Sequence, residues 1–187
     1  MKARSSQTDV QKFIKNIKLF WQMIFLTGVL TYGVSFIYRF QIQPPLKNID
    51  LINFLNWGSF FIAIVLAFYI LHIKRTYFRL RYFRQFLEEL HKQDPELDKT
   101  RVLRRFIRHI SAKLKRVWIL GLVIILIGVI YFWLTFDSWN MHIYFVVGLY
   151  SLVINYPRTD LFSDVPYILN EIIPDETKEN SPNATPE

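Results

Sequence analysis

The chain has 187 residues, 52% of them hydrophobic and 17% aromatic, with no cysteine and a formal net charge of +8. The missing thiols exclude disulfides, thiolate catalysis and cysteine-ligated zinc or iron–sulfur centres. The apolar residues gather into blocks of about 20 instead of recurring with a helix or strand period, which points to an integral membrane protein.

Residues 1–18 carry five Lys and Arg against a single Asp9. Phe13, Ile14 and Ile17 share one helical face and predict a short amphipathic lead-in at the membrane surface. No short apolar region with a small-residue cleavage site follows, so the first span reads as a retained anchor. That span covers residues 19–38, a length sufficient to cross the hydrocarbon core. Thr27, Thr31 and Ser35 recur at four-residue steps along it and form one stripe. Small and hydroxylated residues in such a stripe seat a neighbouring helix. A pore lining is the alternative, and a bond from each hydroxyl back to its own helix would serve neither.

Residues 39–53 form an external loop that Pro44–Pro45 keeps from being helical. The second span is predicted at 54–73, with Trp57 as an anchor at the outer interface and His72 at the inner one.

The segment 74–116 is the most charged part of the chain, with fourteen Lys and Arg against five acids. Phe83, Phe86, Leu87 and Leu90 make a helical stripe, and Leu103, Phe106, Ile107, Ile110 and Leu114 continue the spacing. Asp94–Pro95 suits a helix start, with Asp94 as cap and Pro95 in the first position. The prediction is a cytoplasmic helical hairpin that extends the second and third spans, its apolar stripes face to face. Arg75, Arg79, Arg81, Arg84, Arg101, Arg104, Arg105 and Arg108 are its expected interaction surface. The alternative lays residues 75–84 flat at the headgroups. The basic residues attract anionic lipids, or they dock an acidic partner or the chain's own acidic tail. Nucleic acid, held by phosphate contacts and stacking on the interleaved Tyr and Phe, is a third reading. It is disfavoured because membrane proximity explains the same residues.

The third span is predicted at 117–136, with Gly121 and Gly128 seven residues apart on one packing face. A tight external connection at 137–140 leads to the fourth span at 139–156. This is the shortest and most polar span, with His142, Gly148, Ser151 and Asn155, and its polarity predicts an interior position. Ser151 and Asn155 join Thr27, Thr31, Ser35, Gly121 and Gly128 as candidates for helix packing or pore lining.

Pro157 ends the last span, and the remainder carries a net charge of −5. Arg158 is expected to pair with Asp160 or Asp164 and anchor the tail. Ser163 is expected to cap a short helix with Pro166 in its first turn. Leu161, Val165, Ile168, Leu169 and Ile172 form its apolar stripe, and from Pro174 onward the composition predicts disorder.

Positive charge in short connections marks the cytoplasmic side. Both basic segments therefore belong inside, with both termini cytoplasmic and four spans between them, a pattern that suits a bacterial plasma membrane. His72, His91, His109 and His142 make no metal-binding spacing, although His91 and His109 flank the hairpin turn beside Glu88. No nucleotide-binding, hydrolase or paired-carboxylate motif occurs, and no acid lies in the middle of a span. The chain is thus expected to be an all-α, four-helix transmembrane bundle without enzymatic activity, metal or cofactor. Its expected partners are membrane lipids and copies of itself or other membrane subunits, in an assembly or an oligomeric channel.

Overall fold

The computed structural model describes residues 2–41, 49–95, 97–157 and 165–173. About 90% of them are helical, and no strand occurs among them. Six helices follow in order: α1 Lys2–Arg39, α2 Ile49–Tyr77, α3 Leu80–Gln93, α4 Lys99–Thr135, α5 Ser138–Ile154 and α6 Val165–Ile172. Three stretches, Phe13–Arg39, Ile52–Tyr77 and Lys99–Thr135, are long and apolar enough to cross a membrane. The fourth apolar helix, α5, has 17 residues and rises about 26 Å at 1.5 Å per residue.

The centre of the bundle is α4, against which α1, α2, α3 and α5 all pack. Half of its most apolar stretch is buried, compared with 17% for α1 and 11% for α2. This corrects the expectation that the polar fourth apolar helix is the interior one. Only one stripe of α5 is covered (Met141, Tyr144, Gly148, Ser151 and Leu152), while Trp139, Val146, Tyr150 and Val153 face outward. The polar groups of α5 are divided among its neighbours: the His142 ring lies 2.9 Å from the Tyr32 hydroxyl of α1, Asn140 reaches Asn56 of α2 and Tyr131 of α4, and Ser151 lies on the buried stripe.

The α4–α5 contact is close because glycines remove side chains from it. A Cβ added to Gly148 would lie 2.5 Å from Ile125 Cγ1 and 2.7 Å from the Gly121 carbonyl oxygen. One added to Gly128 would lie 2.6 Å from Tyr144 Cβ. The helices are joined through Phe136, whose φ of 55° is left-handed, a conformation that glycine usually supplies at a helix end. Its amide donates to the Phe132 carbonyl at 2.7 Å. Asp137 then caps α5 by accepting from the Trp139 amide at 3.0 Å.

Two indoles fasten the far end of α5. Trp21 donates to the Leu152 carbonyl at 3.0 Å, and Trp118 donates to the Asn155 carbonyl at 2.8 Å. The N-terminal lead-in is one helix with the apolar part of α1, and Ile17 is buried in the core.

Several expectations, namely Pro44–Pro45, Leu161, the Ser163 cap, the Arg158 pairing and the character of residues from Pro174, lie outside the described residues.

Candidate interaction surface

The hairpin is built by α3 lying back along the first turns of α4. Phe83 and Leu87 from α3 are buried against Val102, Leu103, Phe106 and Ile110 from α4. The Phe83 and Phe106 rings meet edge to face, with centroids 5.1 Å apart. The structure differs from the expected simple extension of two spans in one respect. α4 runs unbroken from hairpin to apolar stretch, but α2 stops at Tyr77 and Arg79 is extended, with φ −106° and ψ 142°. No Gly or Pro marks this break. It is where the chain turns so that Phe83 and Leu87 reach α4.

The expected helix start at Asp94–Pro95 is also corrected. Asp94 is the residue that closes α3, its amide donating to the Leu90 carbonyl at 3.3 Å. α4 begins at Lys99, behind Asp98. The Asp94 carboxylate lies 3.8 Å from Arg105 Nη1, an exposed and therefore weak ion pair.

All eight predicted arginines are exposed, but they do not make one surface. Arg101, Arg104, Arg105 and Arg108 line a single groove of about 380 Å³ together with Asp94 and Leu97. Their spacing of three, four and seven residues places them on one outward ridge of α4. Arg81 and Arg84 line a second groove of about 490 Å³, with Leu80, Tyr167, Ile168 and Glu171 between α3 and α6. Arg75 stands near the end of α2, and Arg79 at the break.

The second groove is occupied in part by the chain's own acidic end. Arg84 Nη2 lies 2.5 Å from Glu171 and its Nε 3.2 Å from Glu88. Glu171, with Glu88, raises the Arg84 guanidinium above its ordinary value. Lys99 Nζ donates to Asn170 at 3.2 Å. These exposed contacts are screened by water and individually weak. Val165, Ile168 and Leu169 are buried, and each contributes about 1.5–3 kcal/mol, so the apolar stripe holds α6 and the ion pair orients it.

The two hairpin histidines are not brought together. His109 is hydrogen-bonded through Nε2 to the Tyr82 hydroxyl at 3.1 Å and stacks on Phe86 at 4.5 Å. Burial first, then Lys113 and Arg116, push His109 below its ordinary pKa. Burial, with Tyr77 and Glu89, pushes the Tyr82 hydroxyl up. Lys113 sits over the Tyr77 ring at 3.9 Å. His91 lies five residues beyond Phe86 on α3. Among the described residues no group of three His, Asp or Glu could hold a metal ion.

Of the hydroxyl stripe, Thr27 donates to the Met23 carbonyl at 2.8 Å, Thr31 to Thr27 at 2.7 Å and Ser35 to Thr31 at 2.9 Å. Only Ser35 is also used between helices, accepting from Trp133 Nε1 at 3.1 Å. Gly121 and Gly128 face α5. Asn155 donates to the Ser151 carbonyl at 2.7 Å, and the buried Ser151 hydroxyl has no partner among the described residues.

A polar cluster that the sequence reading missed lies at the opposite end of the bundle. The Asn140 amide nitrogen is 3.2 Å from Asn56 Oδ1, 3.3 Å from the Tyr131 hydroxyl and 3.1 Å from Asp137 Oδ2. Nearby, Ser59 and Tyr144 share a 2.8 Å hydrogen bond. The signal available was the placement of Asn56 and Asn140 at the same ends of two adjacent apolar stretches. No protein-family model, curated protein or solved structure matches this chain, so the residues alone carry its functional reading.

Proposed function

We propose that the protein is a non-enzymatic integral membrane protein that acts by assembly, as a homo-oligomer or as a small subunit of a larger membrane complex. Its four apolar helices cross the bilayer, with both termini and the hairpin on the cytoplasmic side. A bacterial plasma membrane is the membrane that the positive-inside pattern fits.

The observation that carries the reading is the division of charge on the hairpin. Glu171 of α6 pairs with Arg84 on α3, while Arg101, Arg104, Arg105 and Arg108 line an open groove in which Asp94 is the one acid among the described residues. The experiment is the native mass of the tagged protein in mild detergent, with identification of what co-purifies. The expected species is larger than one 22.5 kDa chain. A monodisperse monomer without a partner overturns the reading.

A second reading, an oligomeric pore, is favoured by one observation: Thr27 is exposed on α1, where another copy would meet it. Ion flux in liposomes that is unchanged by Thr31→Leu argues against that lining.

A further inference from the structure

The distance of the arginine ridge from the membrane decides what it can bind. The apolar stretch of α4 begins at Val117, directly after Lys115 and Arg116. α4 is one unbroken helix over Lys99–Thr135, so Arg108 stands about 13 Å and Arg101 about 24 Å above Val117 along its axis. The headgroup layer is only about 5–7 Å thick on each side of the hydrocarbon core. A tilt of about 40° still leaves the two residues about 10 and 18 Å up. At physiological salt the Debye length is about 8 Å, so Arg101 lies beyond the pull of anionic headgroups at either tilt, and Arg104 and Arg105 do when α4 stands upright. Lys115 and Arg116 stand at headgroup level instead.

Nucleic acid is disfavoured by where the rings go. The aromatic residues that interleave with the arginines in sequence are packed inward. Phe83 is 2% exposed and Phe106 0%, while Tyr82 and Phe86 are engaged with His109. Among the described residues the groove beside the ridge is lined by four arginines, Asp94 and Leu97 and by no ring, so they offer bases no platform on which to stack.

A small phosphorylated ligand fits poorly as well. The groove is an open surface feature, whereas small-molecule sites enclose most of their ligand. What remains is an extended anionic partner. The ridge is all Arg and no Lys, and the planar guanidinium fork pairs two-point with carboxylates. Its spacing matches Asp or Glu recurring at the same steps on a facing helix. The molecule already contains one such contact, in which α6 buries an apolar stripe on the hairpin and sets Glu171 against Arg84.

We infer that the ridge of Arg101, Arg104, Arg105 and Arg108 is the docking face for an acidic helix of a partner protein. The inference rests on the assembly reading and names the partner's chemistry.

The test uses the full chain in phosphatidylcholine nanodiscs at physiological salt. The probes are two fluorescent 14-residue alanine-based peptides of equal composition. One carries Glu at steps of three, four and seven residues, and the other has them scrambled off that face. The ordered helix is expected to bind about tenfold more tightly, the order of magnitude that a few exposed ion pairs supply. The combined R101Q, R104Q, R105Q and R108Q variant is expected to lose that preference, and a K115Q, R116Q variant to keep it.

Equal binding of the two peptides overturns the inference. So does tighter binding of a 14-nucleotide oligothymidine, which points to nucleic acid, or binding that needs added phosphatidylserine, which points to lipid. The probe is supplied from outside. A monomeric protein that discriminates between the peptides therefore overturns the assembly reading alone. An oligomer that does not discriminate overturns this inference alone.

Discussion

A methyl group at Gly148 would meet Ile125 Cγ1 at 2.5 Å and a backbone oxygen, that of Gly121, at 2.7 Å. The side chain can turn away, but the carbonyl belongs to the central helix and cannot. Gly148→Ala is therefore expected to push α5 from α4 and destabilise the fold by about 1–3 kcal/mol, as overpacked cores do. Gly33 is the internal control: it too is helical, and nothing lies within 4 Å of an added Cβ. Gly33→Ala should be neutral or stabilise by up to about 1 kcal/mol, because helical alanine gives the unfolded chain less freedom to lose. Thermal unfolding of both variants in one detergent checks the pair, and equal behaviour would contradict the close approach. The seven-residue spacing of Gly121 and Gly128 made one side of this contact legible in the sequence. The other side was not, because a single Gly148 in an apolar helix has no periodicity to mark it. In the same way Ser35 resembles Thr27 and Thr31 in sequence, and only the position of Trp133 sets it apart.

At the scale of the element, the hairpin carries a pH dependence whose sign follows from His109. The groups facing it are Tyr82 and Tyr77 from the α2–α3 side and Lys113 and Arg116 from α4 itself. Burial, reinforced by the two cations, holds its folded pKa below the ordinary value of about 6.5. A histidine depressed in the folded state binds fewer protons there than in the opened one. Its contribution is therefore complete above about pH 6.5 and is lost as pH falls toward the lower folded value. Amide exchange in α3 and the first three turns of α4 should accelerate between pH 7.5 and 5, after correction for intrinsic rates. His109→Phe should abolish the acceleration, since a ring on Phe86 remains but has no proton to bind. Exchange that accelerates equally in both proteins would place the switch elsewhere. The apolar stripes of this hairpin were readable because every third or fourth residue is large and apolar. The break at Phe78–Arg79 was not, since neither residue is a helix breaker and the turn is made by tertiary packing. The start of α4 was misread at Asp94–Pro95 because Asp98, four residues on, precedes the helix equally well and a local capping pattern does not choose between them.

For the whole molecule, the proposed number of crossings draws its support from which ends meet. Lys18 lies near Tyr156, Lys115 over Phe20 and Lys113 over Tyr77, so the basic ends of α1, α2 and the middle of α4 gather where α5 ends. α6 then contacts α3 through Glu171 and Arg84. Three crossings alone would leave α6 on the side away from α3, and an even number is needed for that contact to form. In the proposed topology α5 is the helix that returns the chain. Its rise of about 26 Å is slightly less than the hydrocarbon core of about 30 Å, a mismatch that local thinning accommodates at small cost. The absence of native cysteine makes the reading directly testable with single-cysteine variants in intact cells and a membrane-impermeant maleimide. Gln41→Cys and Ser138→Cys are expected to label from outside, while Ser5→Cys, Gln85→Cys and Tyr167→Cys label only after the membrane is opened. External labelling of Tyr167→Cys with Gln85→Cys protected would mean that α5 does not cross, and the contact between α6 and α3 would then have to be wrong as well. External labelling of Gln85→Cys would instead invert the whole orientation and remove the arginine ridge from the cytoplasm.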